Sequence, residues 1–127
     1  MFRYLYLAIA IVLLSSGCAI KKPIKTKSAT ILFKTPKLKF YDKGFLKQYD
    51  DYIYLNILNA GNSVFELKIY KDEICQSRFK CMDSSKFNSE FLSSSYPDDF
   101  LYKLFSKSRV YFKDKQNKVF IKVLSDN

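Results

Sequence analysis

Tyr52-Ile53-Tyr54-Leu55-Asn56-Ile57-Leu58-Asn59-Ala60-Gly61-Asn62-Ser63-Val64-Phe65-Glu66-Leu67-Lys68-Ile69 is the stretch that decides the fold. Successive side chains of a strand point to opposite faces, so Ile53, Leu55 and Ile57 share one side and Tyr52, Tyr54 and Asn56 the other. Asn59-Ala60-Gly61-Asn62 carries the residue types of a tight hairpin turn. The return half sets Phe65, Leu67 and Ile69 on one face against Val64, Glu66, Lys68 and Tyr70. An antiparallel pair with one apolar face results, and that face has to be covered by other elements.

The neighbouring segments extend the same pattern. Upstream, Thr30 to Phe33 is short and apolar, and Leu38 and Phe40 alternate with Lys37, Lys39 and Tyr41. Asp42-Lys43-Gly44 predicts a turn, with Phe45 to Tyr49 opening the next strand and Asp50-Asp51 closing it. Downstream, Glu73 to Cys81 reads as two short strands about a polar turn. Asp83 or Ser84 is placed to cap a helix whose apolar residues Phe87, Phe91 and Leu92 form one stripe. Ser93-Ser94-Ser95 breaks it, and Pro97 opens a second helix with Asp98 and Asp99 near its positive end and Lys103 and Lys107 near its negative end. Phe100, Leu101, Leu104 and Phe105 make its buried face. Val110 and Phe112, a turn through Asp114-Lys115-Gln116-Asn117, and Val119, Ile121 and Val123 predict a closing hairpin. The order predicts an α+β fold: a strongly curved antiparallel sheet of about seven strands with two short helices on one face.

The first residues carry an address. Arg3 is a positive start, Leu5 to Leu14 is unbroken apolar sequence, and Ser15-Ser16-Gly17 precede Cys18. That run is too short for a hydrocarbon core of about 30 Å, and it reads as a cleaved signal over residues 1–17. Small residues ending at a Cys resemble the lipobox of bacterial lipoproteins. The resemblance implies diacylation of Cys18, cleavage before it, and Ala19 favouring the outer membrane of a Gram-negative envelope, facing the periplasm. Residues 18–28 are predicted to be a Lys-rich tether and residues 29–127 a single α+β domain.

Net charge is +10 over 127 residues, with 22 Lys and Arg against 12 Asp and Glu. From Ala19 to Lys39 there are seven lysines and no acid; without these and Arg3, 14 basic residues face 12 acidic ones. The excess belongs to the tether and first strand, where it serves as a solvated spacer or as an attraction to anionic headgroups. An exported chain rarely meets nucleic acid, so none is expected as a partner. The chain has no His, which removes Ser-His-Asp and Cys-His nucleophiles and His-ligated metal. Asp98 and Asp99 are adjacent at a helix start and do not face one another as glycosidase carboxylates must. No enzyme activity, metal or cofactor is expected. With Cys18 assigned to lipid, Cys75 and Cys81 are predicted to form one disulfide in an oxidising space.

The segment from Tyr54 to Ile69, followed by a strand pair, a helix over Ser84 to Leu92 and a Pro-opened helix over Pro97 to Phe105, resembles the LolA/LolB family of lipoprotein carriers and outer-membrane lipoprotein receptors. The similarity spans roughly Phe33 to Leu124. It implies an incomplete β-barrel with helices as a lid over an apolar cavity for lipoprotein acyl chains, small here because the chain is short. Ala60, at the hairpin tip, is too small to insert into a membrane as the family's protruding apolar residue does. Candidate acyl-binding residues are Ile53, Leu55, Ile57, Phe65, Leu67, Ile69, Phe87, Phe91, Phe100 and Leu104. The other reading of these ten is a packed core. Tyr52, Tyr54 and Tyr70, on the opposite face, suit contact with another envelope protein, an interaction or structural role.

Overall fold

The hairpin forms as its alternation dictates. In a computed structural model, which describes residues 22–77 and 80–126, β3 (Ile53–Asn59) and β4 (Asn62–Ile69) pair antiparallel, with Leu55 opposite Leu67 and Ile53 opposite Ile69. Ala60 and Gly61 both have positive φ, 51° and 84°, the backbone that a two-residue hairpin loop needs to match the strand twist. The signal segment, Cys18 and the start of the tether lie outside the described residues.

Six further strands complete one open, curved antiparallel sheet. They are β1 (Lys25–Lys34), β2 (Lys39–Gln48), β5 (Glu73–Ser77), β6 (Lys80–Asp83), β7 (Tyr111–Asp114) and β8 (Val119–Ser125). The strand order is β6-β5-β4-β3-β2-β1-β8-β7. The chain therefore starts in the middle of the sheet, steps hairpin by hairpin to one edge, and crosses to the other edge through α1 (Ser84–Phe91) and α2 (Phe100–Phe105). Neighbouring strands lie about 4.8 Å apart, so two short helices and their linker connect the edges most economically across the concave side. Phe87, Leu92, Leu101, Leu104 and Phe105 of the helical segment join the strand residues in a single buried cluster.

Two boundaries differ from expectation. Asp42-Lys43-Gly44 is not a turn: β2 runs straight through it, pairing Asp42 with Ile31, Lys43 with Thr30 and Gly44 with Ala29. Local turn chemistry lost to the two long ladders flanking β2. Residues 25–28, assigned from sequence to the tether, begin β1, where Lys25 to Ser28 pair with Gln48 to Phe45. Lys27 is held there by donating from Nζ to the carbonyl of Ser108 at 3.2 Å. Eight strands result rather than about seven.

The first helix falls where its apolar stripe places it. In contrast, α2 begins at Phe100 rather than at Pro97, whose carbonyl accepts from Phe100 N at 3.1 Å in a turn that precedes the helix, and it ends at Phe105, short of Lys107. Asp83 is the N-cap of α1 by position, without a side-chain hydrogen bond. Asp99 is likewise the N-cap of α2 by position only, and it pairs with Lys103 one turn on, at 3.2 Å.

Candidate functional site

The concave side holds all ten candidate acyl-binding residues. Ile53, Leu55, Ile57, Leu67, Ile69, Phe87 and Leu104 are buried in the core cluster, and Phe65, Phe91 and Phe100 are partly buried against it. They are filled in by one another and by residues outside the ten. The Phe33 ring is fully buried, 5.3 Å from Phe65 and 6.4 Å and nearly parallel to Phe105. Phe40 stacks on Phe65 at 4.4 Å, and Phe100 meets Tyr96 and Phe112 at 4.5 and 4.8 Å. One hollow of about 30 Å³ lies where β1 to β3 approach α2, floored by Leu46, Ile53 and Phe105. That volume suits a single water, whereas ligand pockets run to about 300–1,000 Å³. Hollows of about 330 to 380 Å³ also occur, but they are open clefts on the surface. Among the described residues the concave side is a packed core.

Cys75 and Cys81 sit directly opposite each other on β5 and β6, their Cα atoms 4.0 Å apart, and are disulfide-bonded. The expected bridge is present. Closing so short a loop stabilises the hairpin by about 2 kcal/mol in the chain-entropy picture. Glu73 lies within 4.8 Å of both sulfurs, but the sulfurs are bonded to each other and are not thiolate ligands.

The outer face of the sheet has a different chemistry. Just beyond the adjoining ends of β2, β3 and β4, Tyr52 stacks on Tyr49 at 4.5 Å and leans on Tyr70 at 5.1 Å, with Lys68 Nζ 5.5 Å from the Tyr52 ring. The three tyrosines singled out from sequence are thus on the outer face, each half-buried. Tyr54 donates its hydroxyl to Glu66. Burial first, and then that carboxylate, push the Tyr54 phenol well above its ordinary value.

Across β7, β8, β1 and β2 the register writes out a second patch in rows. One row is Lys113, Phe120, Lys34 and Lys39; the next is Tyr111, Lys122, Leu32 and Tyr41; the third is Leu124, Thr30 and Lys43. Phe45 follows beside Lys43 on β2, facing outward opposite Ser28. Tyr41, Tyr111, Leu124 and Phe45 are 65%, 50%, 46% and 37% exposed. Asp126 borders the patch, accepting from Lys43 Nζ and the Ser28 hydroxyl, both at 2.9 Å. Five lysines are thereby interleaved with aromatic and aliphatic side chains. Sequence reading missed this patch. Its signal is the Lys alternation in β1, β2 and β8, which acquires meaning only once β8 is known to lie beside β1.

Ionisation ties these contacts to pH. Lys43 and Ser28 hold Asp126 below the ordinary carboxylate value, as Tyr96 and Asn117 do Asp114. Tyr96, donating to Asp114 at 2.6 Å, is raised, by burial first and then by that carboxylate. A depressed carboxyl stabilises the fold above its unfolded value of about 3.9, and that contribution disappears as pH falls through the folded value. A raised phenol stabilises the fold below about pH 10 and stops doing so as pH climbs past it. Urea midpoints should therefore be flat near neutrality and fall below about pH 4 and above about pH 10. Asp126→Asn and Asp114→Asn should shrink the acid limb and Tyr54→Phe the alkaline one. An acid limb of unchanged depth in the paired Asn variant counts against these assignments.

No protein-family model matches the chain, and no curated protein or solved structure is detectably similar to it.

Proposed function

We propose that the chain is a lipid-anchored lipoprotein of the Gram-negative envelope, non-enzymatic, held through Cys18 at the periplasmic side of the outer membrane and working by surface contact. The Cys75–Cys81 disulfide carries this reading, because such bridges persist in oxidising compartments and not in the cytosol. The apolar run before Ser15-Ser16-Gly17-Cys18 agrees with it. Contact by the outer face is favoured over enclosure because the concave side is occupied by the protein's own side chains.

A second reading keeps the LolB-like role, taking up acyl chains or helping to localise lipoproteins or lipids. What favours it is the architecture: an apolar concave sheet face covered by two helices of eight and six residues, a lid small enough to lift. Uptake on this reading requires the helices to move.

Mass spectrometry of protein from the membranes of a Gram-negative host tests both. The expected species begins at Cys18, carries a diacylglycerol, holds Cys75 and Cys81 oxidised, and retains no further lipid. Cys18→Ser should abolish the lipid mass and release the protein from the outer membrane fraction. An unmodified Cys18 overturns the anchoring, and a stoichiometric co-purified acyl chain transfers the function to the second reading.

A further inference from the structure

We propose that the outer face of β7, β8, β1 and β2 docks on an anionic phospholipid surface and lays the domain flat on the membrane that anchors it; this rests on the anchoring reading above.

The first support is charge. Lys34, Lys39, Lys43, Lys113 and Lys122 project from one side of four adjacent strands, and among the described residues the acid that meets them is Asp126, already paired with Lys43. An even surface of phosphate headgroups is the partner a broad array of cations complements, each lysine strengthening association by roughly fivefold.

The second support is what separates the lysines. Tyr41, Phe45, Tyr111 and Leu124 are exposed and, with the half-buried Phe120, alternate with them. Tyr111 and Phe120 meet edge to face at 5.6 Å, and Lys113 Nζ lies 5.4 Å from the Phe120 ring. Rings and long amphipathic stems with charged tips match the boundary between headgroups and acyl chains, where aromatic bodies and ammonium groups sit at different depths. A purely electrostatic partner would leave these rings unexplained, and a dry protein interface would leave the lysines unsatisfied.

The third support is reach. β1 is an inner strand of the patch, and its first residue, Lys25, follows Cys18 by seven positions. Seven residues span at most about 25 Å. A lipid on Cys18 therefore keeps the domain close to the bilayer surface, and Lys21 and Lys22 add positive charge to the connecting sequence.

The test is amine footprinting of the full lipoprotein, purified in detergent and reconstituted into vesicles of phosphatidylcholine alone or with added phosphatidylglycerol. Lys34, Lys39, Lys43, Lys113 and Lys122 should be acylated at least about threefold more slowly in the anionic vesicles. Lys86 on α1 should react equally in both, and high salt should remove the protection. Lys34→Glu with Lys122→Glu, both at outward positions, should lose the protection of the remaining lysines while the urea midpoint is kept. Equal rates in the two vesicle types overturn the proposal, as does protection by a single-stranded oligonucleotide with none from phosphatidylglycerol. The mass of the same sample reads the anchor separately: unmodified Cys18 with protected lysines overturns anchoring and supports the patch.

Discussion

Gly44→Ala is expected to destabilise the domain by about 3 kcal/mol, enough to leave much of it unfolded or insoluble at growth temperature. A Cβ at this position would lie 2.2 Å from the backbone oxygen of Asn56, 2.8 Å from Ile31 Cδ1 and 3.1 Å from Ile57 Cα. The first of these is the worst and the least able to yield. Asn56 is held in the ladder between β2 and β4, opposite Phe45 on one side and Glu66 on the other. Relief therefore means prising β3 from β2, at the centre of the sheet and beneath the buried Ile31, Leu46 and Ile57. Gly61→Ala is the control. Nothing lies within 4 Å of its Cβ position, but φ is +84°, so the cost is conformational and about 1 kcal/mol. Urea unfolding of both variants decides the matter. A Gly44→Ala midpoint equal to wild type, or a smaller loss than at Gly61, would show that β2 and β3 do not approach as described.

Gly44 also marks where reading the sequence ends and the structure begins. Beside Asp42 and Lys43 it carries every local sign of a turn, and only the strands on both sides of β2 explain a glycine in mid-strand: the backbone passes too close for a side chain. Where the deciding contacts are local, sequence is a sufficient guide. The hairpin from Tyr52 to Ile69 follows from period-2 alternation and a two-residue turn. The helices follow from a 3.6-residue stripe, although Pro97 marks the turn before α2 and not its first residue. The disulfide follows from two cysteines on facing strands.

Long-range pairing is a different matter. Nothing within β1 or β8 announces that Ile31 will lie opposite Val123. Hence the strand order, the continuity of β2 and the extent of β1 were not legible. The outer patch suffers from the same gap. Lys34 and Lys39 read only as the end of a basic run through the tether and first strand because their neighbours in space, Phe120 and Lys113, come from residues about eighty positions later in the chain. The concave side was legible in membership but not in occupancy. Alternation placed the ten apolar residues on one face correctly, yet a lining and a packed core have the same pattern. Volume is what separates them, and Phe33, Phe40 and Phe105 supply it.

Phe87→Ala turns that distinction into an experiment. Phe87 is fully buried on the inner side of α1, its ring 4.9 Å from that of Phe91, and it belongs to the same cluster as the strand residues Leu55, Leu67 and Ile74. The helix has little freedom to settle into the space left behind. Ser84 N donates to the Asp72 carbonyl at 2.9 Å at one end, and Asn88 Nδ2 donates to the Pro97 carbonyl at 2.8 Å further along. A packed core then loses the transfer energy of the ring and retains a cavity, a cost of about 3–5 kcal/mol. The strand residues around the vacated space are apolar, so the variant should gain affinity for xenon or benzene, as engineered apolar cavities do. A lining residue of a ligand cavity behaves in the opposite way. Its truncation in lipid-free protein would enlarge a space already open, costing under about 1 kcal/mol, and the loss would appear in retention of an acyl chain. Unfolding of lipid-free wild type and variant, with xenon uptake and lipid analysis of each, reads both sides. A large destabilisation with new xenon binding establishes the filled core and leaves function to the outer face. A near-neutral variant that sheds a bound acyl chain would show that the helices lift in solution and that the concave side is the working one.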